Sequence, residues 1–185
     1  MRRDNKIKTT IFLFHPDLKE SSVNQALIKD ITTEVRNIYE LYPDENINIK
    51  AEQDALVKSD RIVFQFPMYW YSVPPLMKKW FDLVLEHGWA YGSKGHALDN
   101  KEVLVAVSTG ARLADYQFGS KQNHTINEYL LPLFATFAST RMKILQPFII
   151  DGSLYITNTE LTARATEYQK LIRKDKLPEL GYKVL

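Results

Sequence analysis

Short, almost wholly apolar segments alternate with stretches whose apolar residues have helical spacing, and this alternation most constrains the fold. β-Branched and aromatic residues indicate buried strands at 9–14, 61–66, 102–108 and 142–150, with a weaker candidate at 47–49. Apolar steps of three and four indicate helices at 23–39, 51–58, 75–85, 126–137 and 161–172. Strands that alternate with helices form a parallel sheet covered on both faces. We therefore predict an α/β fold with a doubly wound, five-stranded parallel sheet.

Length and composition exclude several classes of protein. The chain has 185 residues, 45% hydrophobic and 25% charged, which predicts a single domain over residues 1–185. Lys and Arg number 24 against 22 Asp and Glu, too even a balance to predict a nucleic-acid partner. The absence of cysteine excludes disulfides and thiolate metal sites, and the histidines lack metal-ligand spacing, so no metal is expected. The basic, polar start MRRDNKIKTT does not resemble a signal peptide, which predicts a cytoplasmic protein.

The loops after the first, third and fourth strands are where a ligand is expected. In doubly wound sheets the ligand lies outside the carboxyl ends of the strands, where the strand order reverses. These loops are residues 15–24, 67–73 and 108–119, and all three have unusual composition. We expect them to converge on one site.

The first loop offers hydroxyl groups at the start of a helix. Ser21, Ser22 and Asn24 lie there, and hydroxyls, free backbone N–H groups and the helix dipole together suit a phosphate. The same residues are also ordinary helix caps, which need no ligand. His15, next to Pro16, either contacts the same phosphate or simply ends the strand.

The second and third loops add an aromatic surface and a close backbone approach. Tyr69, Trp70 and Tyr71 are consecutive; single rings commonly belong to a core, but three in a row cannot all point inward. At least one is predicted to stack on a flat ligand. Gly110, after Ser108 and Thr109, either lets the backbone approach that ligand or forms a simple turn. A phosphate site, an aromatic wall and a close backbone approach describe a site for flavin mononucleotide (FMN), and strand order 2-1-3-4-5 suits it.

Several motifs, in order along the chain, resemble a known family. They are HPDLKESSVNQAL, FQFPMYWYSVPPLMKKWFDLVLEHGWAYG, VAVSTGA, LPLFATF and LQPFIIDG, spanning roughly residues 9–152. The sequence resembles the flavodoxin-like NAD(P)H:quinone oxidoreductases, in the bacterial branch that includes ancillary subunits of glutathione-gated potassium efflux systems. The second motif is the long and specific one.

The resemblance implies a bound flavin, usually FMN and sometimes FAD, with NAD(P)H as co-substrate. The matching positions form three groups: a phosphate group of His15, Ser21, Ser22, Val23 and Asn24; an isoalloxazine wall of Pro67, Met68, Tyr69, Trp70 and Tyr71; and a pyrimidine-edge loop of Ser108, Thr109, Gly110 and Ala111. Tyr116 matches a nearby tyrosine and is the candidate proton or hydrogen-bond donor, with Trp70 the candidate stacking ring. Three positions depart from the family pattern: Ala111 and Arg141 replace glycines, and Asp151 replaces a histidine.

The implied activity is a two-electron reductase that passes hydride from NAD(P)H through flavin N5 to a quinone in a ping-pong sequence. Two alternatives stay open: a flavin-binding regulatory subunit of a potassium efflux transporter in the membrane, and a nitro- or azo-reductase. A homodimer is expected from the resemblance and from Trp89 and Tyr91, which lie among glycines in the loop 87–100. The alternative is that these two rings pack on their own subunit.

Overall fold

The computed structural model describes residues 7–181, which form a six-stranded sheet and seven helices. The strands are β1 (Thr9–Leu13), β2 (Glu34–Asn37), β3 (Arg61–Pro67), β4 (Glu102–Ser108), β5 (Lys143–Ile144) and β6 (Phe148–Ile150). The helices are α1 (Ser22–Ile28), α2 (Ile38–Leu41), α3 (Ile49–Lys58), α4 (Pro75–Val84), α5 (Ile126–Tyr129), α6 (Leu131–Ser139) and α7 (Asn158–Leu171).

All paired strands are parallel, and their order is β2-β1-β3-β4-β5, with β6 also paired to β4. The predicted α/β architecture and the order 2-1-3-4-5 are therefore confirmed. The order reverses between β1 and β3, so their carboxyl ends and that of β4 lie side by side. None of the helices within residues 7–181 is long and apolar enough to cross a membrane. Residues 1–6, which contain most of the basic start used in the cytoplasmic prediction, lie outside this range.

Two apolar cores lie on the two faces of the sheet, because side chains alternate along each strand. On one face Phe12 and Phe64 pack with Trp80 of α4, and Phe64 stacks on Phe137 of α6 with ring centroids 5.3 Å apart. On the other face the β1–β3–β4 core packs against α1 and α7, including Tyr168. The resulting three-layer arrangement holds the carboxyl ends of the strands in fixed register.

The predicted helix at 23–39 is wrong beyond Ile28. Lys29 leaves helical geometry with ψ 129°, Asp30 has a positive φ of 56°, and the chain then enters β2. Since β2 is a half-buried edge strand, its residues lack the continuous apolar run that marked the other strands. The predicted strand at 47–49 is also wrong: Asn48 caps α3 by accepting a hydrogen bond from the Ala51 N–H.

The predicted fifth strand at 142–150 is two short strands. Pro147 lacks the N–H that a continuous ladder requires, and Gln146 instead bonds the Pro178 carbonyl. β5 pairs with the start of β4 and β6 with its end. The predicted helix at 126–137 is broken at Leu130 into α5 and α6, with Pro132 in the first turn of α6.

Candidate functional site

Hydrogen bonds join the three predicted loops at the carboxyl edge of the sheet. The Asn24 side-chain amide, in α1, lies 3.1 Å from the Ser21 Oγ and 3.2 Å from the Ser108 Oγ at the end of β4. The Met68 N–H, which follows β3, donates to the Ser108 carbonyl at 2.8 Å. Four residues predicted from separate motifs therefore lie together at this edge: Ser21, Asn24, Met68 and Ser108.

The first loop is shaped by local capping. Asp17 caps a short 3₁₀ turn, Leu18–Glu20, and Ser21 caps α1 by accepting from the Asn24 N–H. Ser22 is exposed at the first helical position, while Val23 and Asn24 are buried. The His15 Nδ1 accepts from the Asp17 N–H at 3.2 Å, and burial lowers the pKa of His15 below its usual value. A neutral imidazole at neutral pH follows from that shift.

The aromatic loop forms a tight two-residue hairpin. Tyr69 and Ser72 exchange two backbone hydrogen bonds, of 3.0 and 2.9 Å, around Trp70 and Tyr71. Both central residues have positive φ, 45° and 62°, the pattern of a type I′ turn that usually contains Asn and Gly. Trp70 is 90% exposed at the tip, and the Tyr69 and Tyr71 rings are also exposed. The structure therefore places all three rings outside the core, at the rim of the site.

The third loop is held by the segment after β6. The Gly152 N–H donates to the Ala111 carbonyl at 2.8 Å, and the Ser153 N–H donates to that of Thr109 at 2.9 Å. The Asp151 carboxylate accepts from the Leu113 N–H at 2.8 Å, which gives this departure from the family pattern a structural role. Within residues 7–181, the N–H groups of Gly110 and Ala111 have no acceptor in the protein. They are available to a ligand.

Gly152 allows the segment after β6 to approach Arg112 closely. It has a φ of 64°, and a Cβ there would lie 2.4 Å from the Arg112 Cδ. The Arg112 guanidinium then reaches the Tyr155 carbonyl at 3.2 Å and Glu160 at 3.8 Å. This contact fastens the third loop to the start of α7.

Tyr116 lies beneath an aromatic cluster next to the hairpin. It is buried, and its ring meets Tyr129 edge-on, with centroids 6.2 Å apart. Tyr129 in turn stacks on Tyr71 at 4.8 Å, and the Tyr71 hydroxyl donates to Gln122 at 2.9 Å. Burial raises the pKa of Tyr116 above its usual value, against an opposing hydrogen bond with Thr109. The Tyr116 hydroxyl therefore keeps its proton at neutral pH.

Cavities flank the site on two sides. One, of about 490 Å³, lies between α4 and α6 and is lined by residues that include Tyr71, Tyr91, Tyr129 and Leu133. The other, of about 970 Å³, lies beside the first loop and includes His15 in its lining. One member of the predicted phosphate group, His15, and one of the aromatic group, Tyr71, thus border open space.

Sequence reasoning missed several supporting residues. Gln65, fully buried in β3, donates to the backbone carbonyl and the side-chain oxygen of Asn24, and its position as the one polar residue inside the run IVFQFP was a usable signal. Gln122 lies in a stretch without period, and Tyr129 was predicted only as part of the apolar face of the helix at 126–137. The contact of Arg112 with Gly152 had no local signal, since it joins segments 40 residues apart in the chain.

Comparison with known proteins agrees with this architecture. A family model described as a flavodoxin-like fold matches residues 8–172. A Bacillus subtilis protein named uncharacterized NAD(P)H oxidoreductase YrkL is 42% identical over 173 residues, which cover 89% of this chain and 98% of that protein. The glutathione-regulated potassium-efflux system ancillary protein KefF of Enterobacter sp. is 40% identical over 164 residues, which cover 86% of this chain and 92% of that protein.

Solved structures give the same result. The crystal structure of general stress protein 14 from Treponema denticola, in complex with FMN, superposes with a TM-score of 0.83 at 34% identity. The match covers 89% of this chain and 97% of that one. This chain therefore belongs to the flavodoxin-like fold family, in the branch whose members are named as NAD(P)H oxidoreductases and as ancillary proteins of potassium-efflux systems.

Proposed function

We propose that this protein is a flavin-dependent NAD(P)H:quinone oxidoreductase that binds FMN at the carboxyl edge of β1, β3 and β4. The observation that carries the proposal is the joining of Ser21, Ser108 and the aromatic loop through Asn24 and Met68. Relatives named as NAD(P)H oxidoreductases and an FMN-bound structural neighbour support the same assignment.

The residues present fit a flavin nucleotide. The hydroxyls of Ser21 and Ser22 and the Ser22 N–H, which has no protein acceptor within residues 7–181, suit the anionic phosphate. The exposed rings of Tyr69, Trp70 and Tyr71 suit a flat tricyclic system. The unbonded N–H groups of Gly110 and Ala111 suit the acceptor atoms of a pyrimidine edge. His15, Val23, Asn24, Pro67, Met68, Ser108 and Thr109 complete the proposed binding set. FAD, which shares all these groups, is the alternative nucleotide.

A bound flavin supplies two-electron transfer between NAD(P)H and a quinone, while the protein provides binding, orientation and electrostatics. The N–H groups of Gly110 and Ala111 are fixed in place by the β6–α7 segment, so they stabilise negative charge at the pyrimidine edge without rearrangement. Tyr116 is proposed to donate a hydrogen bond from its protonated hydroxyl. Trp70 is proposed to cover the flat ligand and exclude water.

The first test is the absorbance of the purified protein, with identification of any released cofactor and steady-state rates with NADH or NADPH. About one flavin per chain, and faster turnover with quinones than with nitro- or azo-aromatic acceptors, is the expected result. A colourless protein that stays free of flavin after incubation with FMN and FAD would contradict the proposal. Faster turnover of nitro- or azo-compounds would reassign the acceptor and leave the cofactor unchanged.

A second test separates phosphate binding from helix capping. Replacing both Ser21 and Ser22 with Ala should weaken FMN binding much more than riboflavin binding, because riboflavin lacks the phosphate. Lost hydrogen bonds to a charged group correspond to about 2–5 kcal/mol for the pair. An equal loss for FMN and riboflavin would show that the serines only cap α1.

A regulatory subunit of a potassium efflux transporter is the second candidate function. It is favoured by the 40% identity to an ancillary protein of such a system. Flavin binding does not separate the two, because both functions use it. Co-purification with a potassium-efflux transporter encoded beside this chain would favour regulation, and quinone turnover without any transporter would favour the enzyme.

A homodimer is the proposed assembly. Trp89 packs against its own core, so it no longer supports a dimer contact. Tyr91 remains 41% exposed and lines the cavity of about 490 Å³ together with Tyr71 and Tyr129. This aromatic surface is the proposed contact.

A further inference from the structure

A chain of buried hydrogen bonds runs from α7 to the proposed flavin site. The Tyr168 hydroxyl lies 3.0 Å from the Gln65 Oε1, and the Gln65 Nε2 lies 3.2 Å from both the backbone carbonyl and the side-chain Oδ1 of Asn24. The Asn24 Nδ2 lies 3.1 Å from the Ser21 Oγ and 3.2 Å from the Ser108 Oγ. Tyr168, Gln65 and Asn24 are each at most 1% exposed.

The backbone carbonyl of Asn24 decides the direction of this chain. A side-chain amide can face a neighbour with either its oxygen or its nitrogen, but a carbonyl only accepts. The Gln65 nitrogen must therefore face Asn24, which leaves the Gln65 oxygen to accept from the Tyr168 hydroxyl. The Asn24 Oδ1 must then face Gln65, and the Asn24 Nδ2 must face the two serines.

This direction leaves both serine protons free. The Ser21 Oγ accepts from the Asn24 N–H and from the Asn24 Nδ2, each at 3.1 Å, which fills its two acceptor positions. The Ser108 Oγ accepts from the Asn24 Nδ2. In the part of the chain that the structure describes, neither hydroxyl donates to a protein acceptor. Both protons are therefore available to a ligand rich in acceptors.

We infer that Gln65 is a positioning residue that fixes the direction of this hydrogen-bond chain, so that Ser21 and Ser108 present their hydroxyl protons to a bound flavin nucleotide. The inference rests on the proposed function and explains how a residue outside the site supports it. Gln65 acts through Asn24. Without the Gln65 donor, the Asn24 amide is free to turn its oxygen toward the serines, which would then donate inward.

Tyr168 supplies the matched control. Its hydroxyl satisfies the Gln65 oxygen, but the Asn24 carbonyl fixes the direction with or without it. Tyr168→Phe and Gln65→Met each remove buried hydrogen bonds, so both should lower the melting temperature of the apo protein. Only Gln65→Met removes the donor that holds Asn24.

The experiment titrates flavin-free wild type and variants with FMN. Gln65→Met should lose about tenfold in FMN affinity, the size expected for one hydrogen bond to a charged group. Tyr168→Phe should stay within about twofold of wild type, below the effect of a single neutral hydrogen bond. Equal losses in the two variants would show that Gln65 has only a structural role and would overturn the inference.

A double-mutant cycle tests the route through Ser21. Ser21→Ala should weaken FMN binding about tenfold in the wild-type chain, as the loss of one hydrogen bond to a charged group predicts. In the Gln65→Met background the same change should cost less than about twofold, because the hydroxyl proton already points inward. Additive losses would overturn the inference.

Gln65→Glu provides an isosteric variant should Gln65→Met fail to fold. A protonated carboxyl group can donate to Asn24 and accept from Tyr168, whereas an ionised one can only accept. FMN affinity of Gln65→Glu relative to wild type should therefore rise as the pH falls. Taking the ratio at each pH cancels the titration of His15 and of the FMN phosphate, and burial raises the pKa of Tyr168, so it stays protonated. FMN affinity equal to wild type while the carboxyl at position 65 is ionised, or no recovery once that carboxyl is protonated, would overturn the inference.

The two proposals fail separately. Wild-type protein that binds no flavin overturns the proposed function and this inference with it. Wild-type protein that binds FMN, with Gln65 and Tyr168 variants that behave alike, overturns the inference only.

Discussion

Trp70 exposes nearly its whole ring, at the tip of a hairpin that borders the proposed flavin site. Because the ring makes little contact with the core, Trp70→Ala should leave the melting temperature of the apo protein nearly unchanged. It should lower flavin affinity or quinone turnover about tenfold, through lost stacking and burial. Thermal melts, flavin titrations and steady-state rates measure these quantities.

Trp80 is the control for that substitution. It is fully buried, and its Nε1 donates to Glu52 at 3.1 Å, so Trp80→Ala should cost about 3–5 kcal/mol of stability. A comparable collapse in Trp70→Ala would mean that the hairpin ring is structural. No change in affinity or rate would place the flavin elsewhere.

Tyr42 gives the fold a dependence on alkaline pH. Burial and a 2.6 Å hydrogen bond to Glu52 raise the pKa of Tyr42 to about 12 in the folded chain, above its unfolded value near 10. The stability from this bond is complete below the unfolded pKa and is lost as the pH rises through the folded one. We expect the melting temperature to fall between those values, and to fall less in Tyr42→Phe. Tyr155→Phe, at an exposed ring, should follow wild type; a Tyr42→Phe curve identical to wild type would contradict the assignment.

Single residues of the site were predictable where they carried local chemistry. Ser21 as a cap and the three exposed rings follow from residue type and order along the chain. The hairpin geometry could not be predicted, because Trp70 and Tyr71 occupy turn positions that usually hold Asn and Gly. Gln65 and Arg112 act through tertiary contacts that no local pattern contains.

At the scale of elements, the buried carboxylate of Glu52 connects α3 to β2 and α4 through hydrogen bonds. Glu52 of α3 is fully buried and accepts from Arg36 of β2, from Tyr42 and from Trp80 of α4. Glu52→Ala should cost about 3–5 kcal/mol in urea unfolding, because it leaves the Tyr42 and Trp80 donors without an acceptor and Arg36 with only the longer contact to Glu34, at 4.0 Å. Asp54→Ala, which breaks the surface pair with Lys50 on the same helix, should cost less than about 1 kcal/mol. Equal costs would contradict this role.

Sequence patterns predict the central strands of the sheet, but not its edge strand β2 or the end of α1. Buried central strands were found because both faces are covered and the apolar run is continuous. The edge strand β2 was read as helix, since Ile31, Val35 and Ile38 happen to keep helical spacing. Helix α1 ends because the backbone leaves helical geometry at Lys29 and Asp30, and neither residue type is a helix breaker that the sequence would reveal.

For the whole molecule, we expect a homodimer. Light scattering at micromolar concentration should give twice the chain mass of 21.5 kDa. Tyr91→Arg should shift the mass toward a monomer, because a charge would be buried at the proposed contact. Lys94→Glu, on the same loop but outside the cavity lining, is the control and should leave the mass unchanged. A monomeric wild type would contradict the expectation.

The global topology was predictable because the alternation of strands and helices, together with the right-handed crossover rule, leaves few arrangements. The strand order 2-1-3-4-5 was predicted because it suits a flavin site, and the candidate site was placed where that order reverses. The division of the last predicted strand into β5 and β6 could not be predicted, since it depends on the hydrogen bond from Gln146 to the Pro178 carbonyl near the end of the described chain.

The two left-handed residues at the hairpin tip have a consequence for the evolution of this protein. Each non-glycine residue in that conformation costs of order 1 kcal/mol, and the turn accepts Asn-Gly without that cost. Selection for thermal stability alone would therefore replace Trp70 and Tyr71 with small residues, and the chain would melt higher while its cleft lost its rings. Under the proposed function, both bulky rings at such positions are an exchange of stability for binding surface.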